Sequence, residues 1–368
     1  MRLRRARCLA CYWHAGSFVA HAYPHGAPTA LHPAAAEILS AFEEWTEPAE
    51  AAQTLGTLTP RTVGNAVRAL RGSGLLLEEG STEAAHDDAL ARQWGPWAPE
   101  ASFYHYATQD VLYPGDDPAA GQTPPTQELP PLFTSYPQAE RLLLPRPPAG
   151  LRTPYGEVLH RRRTCRDFRP EPVALATLAT LLATVFGPAD FIDCGNGALY
   201  RRTSPAGGAR QEIDAYVGVL NVEGAAPGTY HYNVLEHSLE LRSEGLTPGE
   251  AAHLCADQGW AGAAAFLVVL VAALPRMGVK YATPRSYRVC LLDAGHLGQT
   301  FALTATALGL GPAQTGAFHD SPVAARCGVD NTAHTPLYVL AAGHPDPAQP
   351  QAPPSARAET FRATPLSG

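Results

Sequence analysis

The chain has 368 residues, of which 45% are hydrophobic and 17% charged, so it can bury the cores of two or three domains. Its net charge of −7 disfavours a nucleic-acid-binding protein, which usually carries a basic bias. The longest apolar run, residues 263–274, is too short to span a membrane and suits a buried strand.

The N-terminus and the cysteines predict a cytoplasmic protein with free thiols. The first residues are basic but lack the apolar segment and cleavage site of a signal peptide. The seven cysteines are an odd number and lie mostly in apolar segments. Cys8 and Cys11 have the spacing of half a zinc site, which His14 and His21 could complete. No second such pair follows, so no metal site is predicted.

Residues 1–80 are predicted to form a small winged-helix-like domain. A strand–turn–strand pattern opens it, with Gly16 at the turn, and three helices follow. The third begins at Thr59, an N-cap residue followed by proline. Its apolar face consists of Val63, Val67 and Leu70. A strand at 75–77 then forms the wing.

This small domain has three candidate roles. Arg61, Arg68 and Arg71 on or near the third helix could contact DNA, or they could form a solvated basic face. The domain could also dock a peptide as an added strand on a sheet edge. Residues 81–150 follow as an aromatic-rich segment and a proline-rich linker, and residues 344–368 are a proline-rich tail.

Residues 151–343 are predicted to form one α+β domain. The pattern indicates a helix at 173–186, a strand at 215–222, a hairpin at 228–241 and a helix after Thr247. Residues 266–271 are apolar on both faces and predict a central strand. A helix at 286–310 has almost no charge and is predicted to be buried on all sides, and a closing strand follows at 336–341.

Two segments of this domain are suited to binding a phosphorylated ligand. Residues 161–166 place four arginines and a threonine hydroxyl together, and guanidinium groups bind phosphate in bidentate fashion. Residues 204–209 contain paired glycines that allow backbone N–H groups to approach a ligand. The alternatives are a solvated basic loop and an ordinary turn. Neither a Walker loop nor a Rossmann fingerprint is present.

The dipeptide Lys280-Tyr281 is a candidate proton-transfer pair. A free phenol has a pKa of ~10, and a neighbouring ammonium group favours the phenolate. Burial would lower the pKa of the lysine, so either residue could remove a proton from carbon. The alternative is a solvent-exposed lysine beside a core or interface tyrosine.

Five motifs in a fixed order resemble the FMN-dependent nitroreductase superfamily, and within it the SagB/McbC-type azoline dehydrogenases of thiazole and oxazole peptide biosynthesis. They are Arg-Arg-Thr-x-Arg-x-Phe at 162–168, Arg-Thr-Ser-Pro-x-Gly-Gly-Ala-Arg at 202–210, Gly-x-Tyr-x-Tyr at 228–232, Lys-Tyr at 280–281, and Tyr-Arg-x-x-Leu-Leu-Asp-Ala-Gly-His-x-Gly-Gln at 287–299. The N-terminal segment is similar to the leading part of this family, so the resemblance covers nearly the whole chain.

The resemblance implies a nitroreductase-like domain, with a central mixed sheet flanked by helices, that dimerises and binds FMN at the subunit interface. It implies that the cofactor is bound by Arg162, Arg163, Thr164, Arg166, Ser204, Gly207, Gly208, Gln299 and Gly316. Lys280 and Tyr281 match the catalytic pair of the family. The implied reaction removes a proton and a hydride, the latter to flavin N5, from a thiazoline or oxazoline in a peptide, and oxygen then reoxidises the flavin.

The implied partners are a peptide substrate, a second copy of this chain and a cyclodehydratase, with no nucleic acid or membrane. Three departures affect the expected substrate: Ala206 replaces a common serine, Gln211-Glu212 replaces a frequent His-Pro, and His334 replaces a common glutamate. Two alternative functions remain. One is an NAD(P)H-dependent nitroreductase-type flavin reductase, and the other is a non-catalytic scaffold with a degenerate flavin site.

Overall fold

The computed structural model describes residues 1–24, 26–56, 58–111, 130–146, 148, 150–193, 198–281 and 283–346. The chain divides into two compact units, Met1–Pro114 and Gly115–Gly368. Residues 112–129, 147 and 149 of the predicted linker region and the tail from residue 347 lie outside the described residues. None of the helices in the described part has the length and apolar content that crossing a bilayer requires.

The described part of the first unit combines short strands with five helices. The strands are β1 (Leu3–Arg5), β2 (Leu9–His14), β3 (Ser17–Ala22), β4 (Thr29–Leu31) and β5 (Leu76–Glu78). The helices are α1 (Ala35–Ser40), α2 (Pro48–Thr54), α3 (Pro60–Gly72), α4 (Thr82–Trp94) and α5 (Pro99–Ala107). Strands β2, β3 and β4 form one antiparallel sheet in that order, and β1 pairs with β5.

Helix α3 forms where its capping residue and apolar spacing predict. The Thr59 hydroxyl accepts a hydrogen bond from the backbone N–H of Thr62, which satisfies one free donor at the helix start. Val63, Val67 and Leu70 are all buried in the core of the unit. Arg71, one of the three arginines considered for DNA contact, forms an ion pair with Glu78 at the surface.

Helix α4 packs on this unit, which therefore extends beyond residue 80. Arg4 on β1 and Asp87 on α4 are both buried and form an ion pair of 3.0 Å. The other oxygen of Asp87 accepts the N–H of Cys8 at 3.0 Å, and Oδ2 also accepts the N–H of Arg7. A buried charge is stable only when it is paired in this way.

The second unit carries the remaining elements. Its helices are α6 (Tyr155–Arg161), α7 (Leu175–Phe186), α8 (Pro248–Leu254), α9 (Gly259–Ala263), α10 (Leu274–Gly278), α11 (Arg285–Ala307) and α12 (Asp320–Cys327). Its strands are β6 (Arg141–Leu143), β7 (Val173–Ala174), β8 (Asp190–Asp193), β9 (Ala198–Arg201), β10 (Ile213–Val219), β11 (Val222–Glu223), β12 (Gly228–Asn233), β13 (Ser238–Glu244), β14 (Phe266–Ala273), β15 (Gly311–Thr315) and β16 (His334–Gly343).

A seven-stranded sheet in the order β15-β16-β14-β10-β12-β13-β6 forms the centre of this unit. The predicted α+β class, with a central sheet flanked by helices, is confirmed. All six strand pairs of the sheet are antiparallel, however, whereas a mixed sheet was expected. The outermost strand, β6, comes from the proline-rich segment that the sequence predicted as a linker.

The sheet separates two hydrophobic cores. Alternate side chains of a strand point to opposite faces. On β14, Val268 and Leu270 accordingly join the core under α7 and α11, whereas Val269 and Val271 join the core under α8, α9 and α12. All eight residues of β14 are buried, as the apolar run predicted.

Helix α11 is not buried on all sides, which corrects the sequence-based expectation. Ala294, Leu297 and Phe301 are buried against the sheet, but Leu291 and Leu292 remain 41% and 57% exposed. Low charge was interpreted as burial within this chain. The structure shows instead that one face of the helix presents large apolar side chains at the surface, which is a common feature of subunit interfaces.

Candidate active site

The loop that contains the paired glycines is fixed against α11. The Ser204 hydroxyl lies 2.6 Å from the Thr300 hydroxyl, and Ser204 is buried. The backbone N–H of Gly207 donates to Oδ2 of Asp293 at 2.7 Å. Residues Gly207–Ala209 form a single 3-10 turn. The loop therefore has a defined position relative to the middle of the long helix.

Both glycines of this turn are required by the local geometry. A Cβ atom at Gly207 would collide with Cγ1 of Val289. Gly208 has a φ of +59°, in the left-handed region that glycine adopts readily. A Cβ atom there would lie 2.6 Å from the hydroxyl oxygen of Tyr281 and 3.2 Å from Cδ of Lys280. The structure thus brings the predicted catalytic pair into contact with the glycine turn.

Lys280 and Tyr281 follow directly after α10. Their backbone N–H groups both donate to the carbonyl of Met277, at 3.2 and 3.1 Å. The Lys280 Nζ atom lies 5.3 Å from the centre of the Tyr281 ring. Lys280 is exposed and Tyr281 is half-buried, so this chain alone does not provide the burial of the lysine that was considered from the sequence.

Lys280 is the only lysine in the sequence, and the other 26 of the 27 basic residues are arginines. At every other position where the sequence has a lysine or an arginine, the residue is arginine. Arginine cannot lose its proton at any ordinary pH, whereas an amine can. The amine of Lys280 can therefore exchange a proton, which a guanidinium group at this position could not.

The arginine segment lies beside β15. The N–H of Cys165 donates to the carbonyl of Pro312 at 2.8 Å. Arg163 donates to two backbone carbonyls, those of His160 and Arg162, at 2.9 and 2.7 Å. Thr164 and Arg166 are exposed and Arg162 is half-buried. The structure does not bring this segment into hydrogen-bonding contact with the glycine turn within the described residues.

The last two predicted residues flank the junction of α11 and β15. Gln299 is exposed on α11, next to Thr300. Gly316 directly follows the end of β15, and a Cβ atom there would meet open space. The Gln314 amide donates to the carbonyl of Gly298 at 2.6 Å and so joins the helix to the strand.

Sequence reasoning missed two acidic residues near the glycine turn, Asp293 and Glu212. Asp293 lies inside the motif at 287–299. Its carboxylate also approaches Nδ1 of His296 at 3.4 Å. Glu212 was noted only as a departure from the family pattern. It is completely buried, and burial together with the nearby charge of Asp293 raises its pKa to about 7. Burial of the Cys290 thiol, together with the nearby charges of Glu212 and Asp293, raises the pKa of Cys290 to about 12. The sequence signal that could have identified Glu212 is an acidic residue directly before an apolar strand.

Comparison with known sequences places this domain in a family. The model of the Nitroreductase family matches residues 159–344, just over half of the chain. The chain is 30% identical over 167 residues to the protein named putative nitroreductase MJ1384 of Methanocaldococcus jannaschii, covering 45% of this chain and 80% of that protein. It is 31% identical over 151 residues to the trifolitoxin-processing protein TfxB of Rhizobium leguminosarum bv. trifolii, covering 40% of each chain.

Among solved structures, the chain is similar to a subunit of the E. coli microcin synthetase McbBCD complex with truncated pro-MccB17 bound. The identity is 22% and the TM-score 0.45, over 70% of this chain and 97% of that one.

Proposed function

Because the chain belongs to the nitroreductase family, we propose that it is an FMN-dependent dehydrogenase that oxidises thiazoline or oxazoline rings to azoles in a peptide precursor. The observation that carries the proposal is the position of the only lysine, beside Tyr281 and against the glycine turn. A reductase that uses NAD(P)H has no need for this pair. The similarity to the trifolitoxin-processing protein supports a peptide substrate.

The residues present fit FMN. The side chains of Arg162 and Arg166 make no hydrogen bond or ion pair within the described residues, so they are available for a phosphate. We assign them this role together with Arg163 and Thr164. The proposed contacts to the flavin and ribityl chain come from Ser204, Gly207, Gly208, Gln299 and Gly316. When bound, FMN supplies an acceptor for the hydride.

Lys280 and Tyr281 would remove the proton from the ring carbon that bears the peptide carbonyl. The Tyr281 hydroxyl is the closest side-chain group to Gly208, on the turn proposed to line the flavin. Such a phenol can act as the base when a cation favours its ionised form. Lys280 Nζ lies 5.3 Å from the centre of the Tyr281 ring, and its amine can pass the proton on.

A second copy of the chain would complete the site. Leu291, Leu292 and Tyr287 on α11 are 41%, 57% and 40% exposed. Large apolar side chains on one helix face favour a subunit interface. Burial of this face would also remove water from the neighbourhood of Lys280, which the single chain leaves exposed.

We assign the first unit to docking of the peptide or of a partner enzyme such as a cyclodehydratase. Its strand β2 lies at the edge of a three-stranded sheet. An edge strand presents free N–H and C=O groups to which an extended peptide can be added. The same unit contains a cavity of about 240 Å³, lined in part by Tyr23, Trp94 and Tyr106, that could accept an apolar side chain.

Replacing Gly208 with alanine is expected to reduce FMN binding strongly. The new methyl group must displace Tyr281 and also occupies a left-handed backbone conformation. Gly245→Ala is the matched control, since Gly245 has a φ of +68° but open space around its Cβ position. Gly245→Ala should lower the free energy of unfolding by only about 1–2 kcal/mol, the cost of placing alanine in a left-handed backbone conformation. Flavin content and thermal unfolding of both variants test this, and equal flavin loss in the two would contradict it.

The function is tested by mixing the FMN-loaded protein with a synthetic thiazoline peptide without oxygen. Bleaching of the oxidised flavin spectrum, with a thiazole product by mass spectrometry, supports the dehydrogenase. Bleaching by NAD(P)H alone would instead support a reductase. A protein that stays colourless after FMN is added would leave only a scaffold function.

A further inference from the structure

Glu212 is a buried carboxyl group in the segment that joins the glycine turn to β10. Its side chain has no solvent exposure. Neither of its carboxyl oxygens finds a hydrogen-bond donor among the described residues. An ionised carboxylate is very costly in such a place, and the group avoids that cost by keeping its proton.

The side chains that face Glu212 show how it differs from its acidic neighbour, Asp293. Asp293 and Cys290 approach it from α11, and Arg202 approaches from the segment after β9. Asp293 accepts the N–H of Gly207 at 2.7 Å, and its other oxygen lies 3.4 Å from Nδ1 of His296. The guanidinium of Arg202 is occupied by the carbonyls of Phe186 and Ile213 and by the Tyr200 hydroxyl. Asp293 therefore has a hydrogen-bond donor whereas Glu212 has none among the described residues, which favours Glu212 as the acid that keeps its proton.

Glu212 and Asp293 line the same small cavity under the glycine turn. Its volume is about 10 Å³, which is room for about one water molecule. Ser204, Pro205 and Ala206, the residues that lead into the turn, also line this cavity. The two carboxyl groups thus lie beside the segment that leads into the turn.

We propose that protonated Glu212 is a positioning residue that donates a hydrogen bond to Asp293 and thereby fixes the carboxylate that holds Gly207. This inference rests on the proposed function, because the turn it fixes is the one assigned to FMN. It concerns a residue of this chain that stands where the family frequently has proline.

The arrangement makes the turn sensitive to pH. Burial and the charge of Asp293 set the pKa of Glu212 at about 7. As the pH rises through this value Glu212 ionises, loses its hydrogen bond and repels Asp293. Affinity for FMN should then fall by up to about tenfold per pH unit above pH 7, the limit for one linked proton.

The first test uses the protein without FMN. Infrared spectroscopy at pH 6 should show a protonated carboxyl band in the wild-type protein that is lost in Glu212→Gln but retained in Glu223→Gln, a change at an exposed glutamate. Hydrogen exchange at fixed pH should show the Gly207 amide protected in wild type and in Glu212→Gln, which keeps a donor, and unprotected in Glu212→Ala. Absence of the band, or protection retained in Glu212→Ala, would overturn the inference.

The second test measures FMN dissociation constants from pH 6 to 8.5. The wild-type affinity should fall above pH 7, whereas that of Glu212→Gln should not change. An identical pH dependence in both proteins would contradict the positioning role. If no protein binds FMN at any pH, the proposed cofactor fails, and the band and amide protection still decide the role of Glu212.

Discussion

The double variant Lys280→Ala/Tyr281→Phe is expected to oxidise a thiazoline peptide ~10²–10⁴-fold more slowly than the wild-type protein, the range that general acid–base catalysis contributes. It should still bind FMN, because neither side chain belongs to the proposed phosphate or flavin contacts. Its flavin should also still be reduced by NAD(P)H if the protein accepts that donor. Single-turnover bleaching of the flavin measures the chemical step directly. A variant that turns over peptide at the wild-type rate would remove the central support for the proposed function.

The unique lysine permits a sharper control. Lys280→Arg keeps the positive charge but cannot exchange a proton at neutral pH. If Lys280 only stabilises the phenolate, this variant should retain much of the activity; if it transfers the proton, the variant should be nearly as slow as Lys280→Ala. An amine-specific acylating reagent can modify no other side chain than Lys280, apart from the terminal amine. Inactivation of the wild-type protein, with no further loss in treated Lys280→Arg, would identify this amine.

Local sequence signals predicted those elements whose pattern is legible within a few residues of sequence. Thr59-Pro60 marks the start of α3 because the cap and the proline act within one turn. The hairpin of β12 and β13 follows from two alternating segments joined by a short turn. The central strand β14 was visible because a strand covered on both faces must be apolar throughout.

The remaining features depend on contacts between distant parts of the chain. β6 lies in a proline-rich segment and is a strand only because the edge of β13 is available to it. Helix α4 belongs to the first unit because Asp87 pairs with Arg4, a contact across 83 positions of sequence. The exposed face of α11 could not be distinguished from a buried one, since leucine is compatible with a core and with an interface.

The candidate site was predictable as a set of motifs but not as an arrangement. The sequence indicated the glycine turn and the Lys280-Tyr281 pair separately. Their contact depends on α10, which ends just before Lys280, and on the positive φ of Gly208. The contact of Asp293 with the turn and the protonated state proposed for Glu212 could not be predicted, because the state of a buried acid depends on which donors the fold brings to it.

The buried ion pair between Asp214 and Arg276 should make the largest single contribution to stability near the site. Asp214 Oδ1 lies 2.8 Å from Arg276, and each side chain is only 5% exposed. The arginine also donates to the carbonyl of Pro131 at 2.9 Å and to the Thr134 hydroxyl at 2.6 Å. Burial opposes ionisation of Asp214, but the charges of Arg276 and His231 together with the hydrogen bonds from Arg276 and Thr134 outweigh it and hold the pKa of this carboxyl below its ordinary value.

Replacing Asp214 with alanine is therefore expected to lower the free energy of unfolding by about 3–5 kcal/mol, because it leaves Arg276 buried without a counter-charge. Asp190→Ala is the matched control. Asp190 also pairs with an arginine, Arg201, but the two side chains are 62% and 60% exposed. An exposed pair of this kind contributes at most about 1 kcal/mol. Urea unfolding of both variants makes the comparison, and equal small losses would show that the buried pair is not needed.

The Asp214–Arg276 pair also predicts how the free energy of unfolding changes at low pH. Because the pKa of Asp214 is lowered in the folded protein, its contribution is present above the ordinary pKa of an aspartate, ~3.9, and is lost as the pH falls through the folded value. Asp214→Asn should therefore lose part of the acid sensitivity of the wild-type protein, while Asp190→Asn should keep it. Arg276 lies on α10, four residues before Lys280, so loss of the pair also releases the segment that carries the proposed base. A fall in ring oxidation that accompanies the loss of stability in Asp214→Asn would link this buried charge pair to the catalytic position of Lys280.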